Sequence, residues 1–407
     1  MNFVKSIIDV REIFYPLFFW IFIFVIYWSF SWFFIEPVDS FIYLIPIFVI
    51  LSIYISFKFS TYKIYKPFGL NKKNTFLIPS LLGFGSVIFY WLQNINNFGR
   101  DLAEVRQEHL ENANVGIQDT VYSFLFPLLI YSFIVVNFNN LKYKKTINLL
   151  VIFSCVIFIP INGGRINFLV FGTLYAAIFF FNNHEKIIKK WFLNLVKFIL
   201  YFIVLSFISS LYGLVRISED NSQVLNNLYT LQYINNDVLM GLLKLPNNIG
   251  LFIIFFINIF YDYTGGIVYY LNIFLDNFYK IDYRTYGFYN FNFLDRFETI
   301  NFTKSHDDID NLYLPYDIRH NVWASFIRDF MIDFGLIGTF LVLIILSSIM
   351  FHARKYIAQS YSAQVLFFLL FAFLIFTPFH SLFYLTRAYG ITFFIALFGF
   401  FRFKLFR

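Results

Sequence analysis

Arg165, Arg216, Arg284 and Arg319, together with His320 and Asp333, are the side chains whose types and placement could do chemistry in this sequence. Arg165 follows Gly163 and Gly164 between two apolar runs, so both backbone and guanidinium can come close to an anionic head group. An arginine left unpaired in hydrocarbon is costly, which makes one at a membrane boundary a functional candidate, and its planar fork suits bidentate phosphate contacts. The plainer alternative is an interfacial arginine that snorkels to water. Arg216, Arg284, Arg319, Arg328 and Arg387 are further arginines of the same kind, each alone readable as a solvated charge or half of an ion pair. Several converging on one site is what a pyrophosphate-bearing ligand needs, because the leaving group's charge must be stabilised as its bond breaks. His320, flanked by Arg319 and Asn321, titrates near neutrality and suits removal of a proton from an attacking hydroxyl. Asp333 is the other candidate proton acceptor, a partner for an arginine, or simply a helix N-cap. Asp307, Asp308 and Asp310 could offer hard oxygens to a divalent cation, but a solvated acidic loop is the expectation. The chain has no phosphate-cradling loop motif, dinucleotide fingerprint or zinc spacing, so neither metal nor cofactor is expected.

The elements that must position these residues are apolar. Of 407 residues, 59% are hydrophobic and 14% charged, where soluble proteins carry about a quarter charged. The expected fold class is therefore an all-α polytopic integral membrane protein. A span needs about 20 mostly apolar residues. Segments 13–35, 41–57, 76–93, 121–137, 147–160, 166–181, 192–215, 334–351, 363–379 and 389–401 come closest, giving about ten transmembrane helices. The first is too long for a secretory signal core and lacks a cleavage site. Residues 161–165 join the short fifth and sixth segments into a helical hairpin whose turn dips near the lipid surface. Cys155 lies in an apolar run as a packing residue and has no disulfide partner. The 24% aromatic content is read as compositional bias rather than a stacking surface.

The organisation that follows is a membrane domain over 1–215, a large extracytoplasmic loop over 216–333 and three C-terminal spans over 334–407. Basic short loops stay in the cytoplasm. With the N-terminus inside, Lys58, Lys63, Lys66, Lys72 and Lys73 share one inner loop, Lys142, Lys144 and Lys145 the next, Lys186, Lys189 and Lys190 the third, and Arg354 and Lys355 the fourth. Arg402, Lys404 and Arg407 then place the C-terminus inside as well. The formal charge of +7 is mostly a topogenic and anionic-lipid signal, with no case for nucleic acid. Within the loop, Val224, Leu225, Leu228, Leu231, Ile234, Val238, Leu239 and Leu242 recur at helical spacing, suggesting an amphipathic helix on the outer leaflet. Residues 251–260 are too short to span and are read as interfacial, with an eleventh span over 250–271 as the alternative.

The run Gly163-Gly164-Arg165-Ile166-Asn167-Phe168-Leu169, together with Asn321-Val322-Trp323 leading into Asp333-Phe334-Gly335-Leu336-Ile337-Gly338, resembles the O-antigen polymerases, the oligosaccharide repeat-unit polymerases of bacterial envelopes. The resemblance covers the architecture of nearly the whole chain. It implies a lipid-linked-donor glycosyltransferase of the bacterial cytoplasmic (inner) membrane, joining undecaprenyl-pyrophosphate-linked repeat units into a surface polysaccharide, either O-antigen or capsule. Outer-face arginines, here Arg165, Arg216, Arg284 and Arg319, would bind the carriers, and His320 or Asp333 would accept the hydroxyl proton. A flippase and a chain-length regulator are the implied protein partners. His320-Asn321 followed by Gly335 and Gly338 also resembles the related O-antigen ligases, at a longer spacing than theirs. A polysaccharide repeat-unit flippase is the alternative of another class. It would be expected to keep ionisable residues along a path through the spans.

Overall fold

The computed structural model describes residues 10–30, 40–60, 76–93, 117–162, 165–190, 236–245, 266–278, 325–379 and 387–405, with isolated residues and short pieces between 193 and 257. Every regular element among them is helical. These are α1 (Arg11–Phe30), α2 (Leu44–Phe59, preceded by a 3-10 turn at Ser40–Tyr43), α3 (Leu77–Gln93), α4 (Ile117–Asn139), α5 (Lys144–Asn162) and α6 (Arg165–Lys189). After them come α7 (Asn236–Leu243), α8 (Gly266–Phe278), α9 (Ser325–Lys355), α10 (Tyr361–Ile375) and α11 (Arg387–Leu405). Each of the ten apolar segments named above as spans coincides with one of these helices except 192–215, most of which lies outside the described residues, as does half of 251–260. By length and composition α1, α4 and most of α9 could cross a membrane, and α2, α3 and α10 are shorter apolar helices. The expected hairpin arms are longer than their hydropathy implied, since α5 begins at Lys144 and α6 runs to Lys189. Helical hydrogen bonding continues past the point where apolar residues give way to polar ones.

The bundle is built around α10. Every side chain from Ala363 to Ile375 is buried, matching a helix that is apolar all round, and it touches α1, α4, α6, α9 and α11. Its start is capped by Ser360, whose Oγ accepts from the Ala363 N–H at 3.4 Å. Its one buried polar side chain, Gln364, exchanges amide hydrogen bonds with Asn139 of α4 at 2.7 and 3.3 Å and donates to the Ile357 carbonyl at 2.8 Å. Asn137 and Asn148 pair in the same reciprocal way across the α4–α5 turn. α3 lies closely against α4 because Gly83 has no side chain; a Cβ there would sit 2.8 Å from both the Cβ and the N of Leu129. Cys155 is buried, as its apolar surroundings implied.

The outward faces are apolar as well. Ile78, Leu81, Leu82 and Leu92 on α3, Leu149, Ile152, Phe153 and Val156 on α5, and Ile337, Leu341 and Ile345 on α9 are exposed at helical spacing. Water would penalise such stripes, whereas hydrocarbon does not.

The basic helix ends gather at one end of the bundle. Arg11 and Glu12 at the start of α1 meet Phe181 near the end of α6 and Arg354 near the end of α9. Phe57 at the end of α2 contacts Phe351, and Phe400 near the end of α11 contacts His352. Lys58, Lys144, Lys186, Lys189 and Lys355 therefore share this end, as their placement in the sequence implied. At the opposite end α8, from the long polar stretch, packs against α1, α9 and the 3-10 turn before α2, burying Val268, Leu271 and Phe274.

Candidate functional site

Helix α9 is two helices joined at a break. Gly335 has φ 71° and ψ 179°, a backbone state open almost only to glycine. Thr339 tightens the turn beyond it by donating from Oγ1 to the Gly335 carbonyl at 2.6 Å. Before the break, residues 327–333 are buried on every side, with the Phe330 ring 5.6 Å from that of Phe373 on α10 and 6.1 Å from that of Phe334. This short segment is wedged into the bundle at the end opposite the basic residues, the end on which α8 sits.

It carries three buried ionisable side chains. Arg328 is 2% exposed, and Asp329 and Asp333 are fully enclosed. Arg328 donates from Nε at 3.0 Å and from Nη2 at 2.9 Å to the same oxygen, Oδ1 of Asp329. Asp333 lies four residues after Asp329, one helical turn on and so on the same face. Enclosing charge this way costs several kcal/mol per ion, and in a membrane helix such residues mark function by default. A fixed guanidinium can stabilise negative charge that develops on a leaving group, and a carboxylate beside it can accept a proton.

The sequence candidates fare differently. Asp333 is part of this segment and lies inside a helix that already began at Ser325, two residues before the break, rather than capping a helix start. Arg165 opens α6 at the same end of the bundle, and Asn167 two residues later is buried and hydrogen-bonded to Tyr122 of α4. Arg387 is half-buried at the start of α11. Arg216, Arg284, Arg319 and His320, with Asp307, Asp308 and Asp310, lie outside the described residues. Among the described residues no three His, Cys, Asp or Glu side chains are grouped to hold a metal ion. Asp329 was missed in the sequence reading. Its signal was present, an Arg-Asp followed four residues later by Asp within the otherwise apolar run 326–337. Starting the helix at 334 hid it by leaving all three residues in the loop.

A second buried ion pair sits at the basic end. Arg354 Nη1 lies 2.7 Å from each carboxylate oxygen of Glu12, which is fully enclosed. Arg11 donates to the Phe181 carbonyl, and the guanidinium groups of Arg11 and Arg354 lie 4.6 and 6.0 Å from the Phe181 ring centroid. His184 Nδ1 and the Tyr15 hydroxyl, 3.3 Å apart, extend the polar contact between α1 and α6. Comparison of the chain with known protein families, curated proteins and solved structures finds no match.

Proposed function

We propose that this chain is a membrane-embedded glycosyltransferase that polymerises undecaprenyl-pyrophosphate-linked oligosaccharide repeat units. It works at the outer face of a bacterial cytoplasmic membrane, with both termini in the cytoplasm. The observation that carries the reading is the enclosed Arg328, Asp329 and Asp333 at the end of the bundle opposite the basic loops. The resemblance to O-antigen polymerases over the runs at 163–169 and 321–338 supports it. On the outer face nucleotide sugars and ATP are not supplied, so a sugar donor has to arrive already activated on its lipid.

In the reaction a hydroxyl of the acceptor repeat unit attacks the anomeric carbon of the donor glycan. The bond from that carbon to the carrier pyrophosphate breaks, and the hydroxyl proton passes to Asp333 or His320. The carrier leaves as an anion stabilised by Arg165 with Arg216, Arg284, Arg319 or Arg328. The test is a deletion strain complemented with variants, read by glycan electrophoresis. Wild type restores a ladder of chain lengths, while Asp333→Asn and Arg165→Ala leave surface lipid capped with a single repeat unit. A normal ladder in both variants removes these residues from the mechanism. In the deletion strain itself, glycan left on its carrier and none on the surface lipid indicates a ligase.

One observation favours a second reading, a flippase for the same lipid-linked units. The spans are less free of charge than their composition implied, since ionisable groups are enclosed at both ends of α9. A transporter keeps such groups along its path. A deletion strain with no surface glycan, and repeat units accumulating on the cytoplasmic side, decides for it.

A further inference from the structure

Helix α6 turns one stripe of residues away from the bundle. Phe168, Gly172, Tyr175, Phe179 and Asn182 are all exposed, alternately four and three residues apart, up to the kink at Asn183. Two of them do not suit a face turned to hydrocarbon. Tyr175 is 52% exposed, and among the described residues its hydroxyl has no hydrogen-bond partner. It lies ten residues below Arg165, about 15 Å at 1.5 Å per residue, which is half the depth of a hydrocarbon core when Arg165 stands at one surface. A phenol at that depth meets neither water nor the polar part of a lipid.

Gly172 is the other. Gly83 and Gly399 are explained inside the chain, because an added Cβ would come within 2.8 Å of Leu129 and 2.5 Å of Ser362, whereas one at Gly172 would meet nothing within 4 Å. Glycine inside a helix is unfavourable relative to alanine, and here packing within the chain gives no reason for it. Gly85 on α3 is equally open, but Leu81, Leu82, Ile88 and Phe89 around it are all apolar, and lipid tails satisfy that face. On α6 the open glycine lies beside the unsatisfied phenol. Small residues let two membrane helices approach closely, and polar side chains then bond across the seam. Two copies in one membrane share one orientation, so α6 would meet α6 in parallel and each residue would face its own level. Tyr175 then meets its equal, and a phenol can both donate and accept. Beyond the kink the exposed Glu185 lies next to Lys186 and one turn from Lys189, so each copy can offer a carboxylate to the ammonium groups of the other.

We propose that the outward face of α6 is the surface through which two copies of this chain pair in the membrane, with Gly172 the point of closest approach and Tyr175 the hydrogen bond across it. The pairing does not depend on which reaction the chain catalyses. Cys155 is the one cysteine and is buried, so single cysteines are added to the full-length chain and oxidised in native membranes with copper phenanthroline. Phe179→Cys is expected to give a covalent dimer, since a disulfide needs Cα atoms within about 7 Å. Wild type and Leu82→Cys, on the open face of α3, are expected to stay monomeric. In liposomes, single-molecule photobleaching of the labelled chain is expected to show the dimer association constant about tenfold lower in Gly172→Leu and about threefold lower in Tyr175→Phe, with Gly85→Leu unchanged. The unfolding midpoint of each variant in detergent is expected to stay at the wild-type value. Cross-linking of Phe179→Cys no stronger than that of Leu82→Cys overturns the inference and leaves the face to lipid. A cross-link to a different protein overturns it in favour of that partner. A Gly172→Leu chain that fails to fold, or that loses stability while still pairing, shows that the face is packed within its own chain and overturns the inference as well.

Discussion

The two ends of α9 bury charge in opposite ways. Near Lys355 the pair is made between residues 342 positions apart, Glu12 and Arg354, and it closes the start of α1 onto the end of α9 beside Phe181. Before Gly335 the pair is made between adjacent residues, and a second carboxylate, Asp333, follows one turn later. The straight run from Gly335 to Arg354 is about 30 Å at 1.5 Å per residue, roughly the thickness of a bilayer's hydrocarbon core. Each pair therefore sits at one end of a run of that length. The first joins two helices far apart in sequence, and the second places a bond between adjacent residues inside one helix beside another carboxylate. That contrast distinguishes the two ends of one helix.

Removing the pair that joins two helices is expected to have the largest effect on stability. Glu12→Ala deprives Arg354 of its carboxylate and costs about 3 kcal/mol, seen as a lower unfolding midpoint in detergent, while the fraction that folds still yields a glycan ladder. Loss of the ladder with unchanged stability would reverse the roles of the two ends. Gly335→Ala comes next, at about 2 kcal/mol, because a Cβ is strained at φ 71° and ψ 179°; the ladder is expected to shorten to one unit even in the folded fraction. Gln364→Leu, which removes the amide pair with Asn139 at the basic end, is worth about 0.6 kcal/mol and should leave the ladder intact. The double change Arg328→Met with Asp329→Leu is expected to stay within about 1 kcal/mol of wild type in either direction, since apolar residues of similar volume often replace a buried pair without loss. The same double variant should abolish the polymer. A destabilisation as large as that of Glu12→Ala would show that both pairs hold the bundle together.

Much of the frame was legible in the sequence. Long apolar runs placed α1 to α6 and α9 to α11 to within a few residues at most ends, and the spacing of Lys58, Lys144, Lys186 and Lys355 put them on one side, where the bundle does bring them. Asp333 was legible as a candidate, but its setting was not. It was placed at a helix start because hydropathy falls at 328–333, yet the helix continues through that dip until Gly335. A glycine in a span is ordinarily compatible with a continuous helix, and only the backbone angles of Gly335 in the folded chain show that here the helix breaks. Glu12 and Arg354 were each assigned to the basic side without a partner, because nothing local to either residue points to the other.

The amino-acid sequence on its own determined which segments become helices and which helix ends carry positive charge, because hydropathy and loop charge are sums over neighbouring residues. The tertiary structure alone decided which charges are enclosed: α10 and α8 pack against α9, in which Arg328, Asp329 and Asp333 are buried, and α1 and α6 meet α9 around Glu12 and Arg354. Burial of a single ionisable group depends on side chains delivered from distant parts of the chain, so its cost and its use are properties of the assembled bundle.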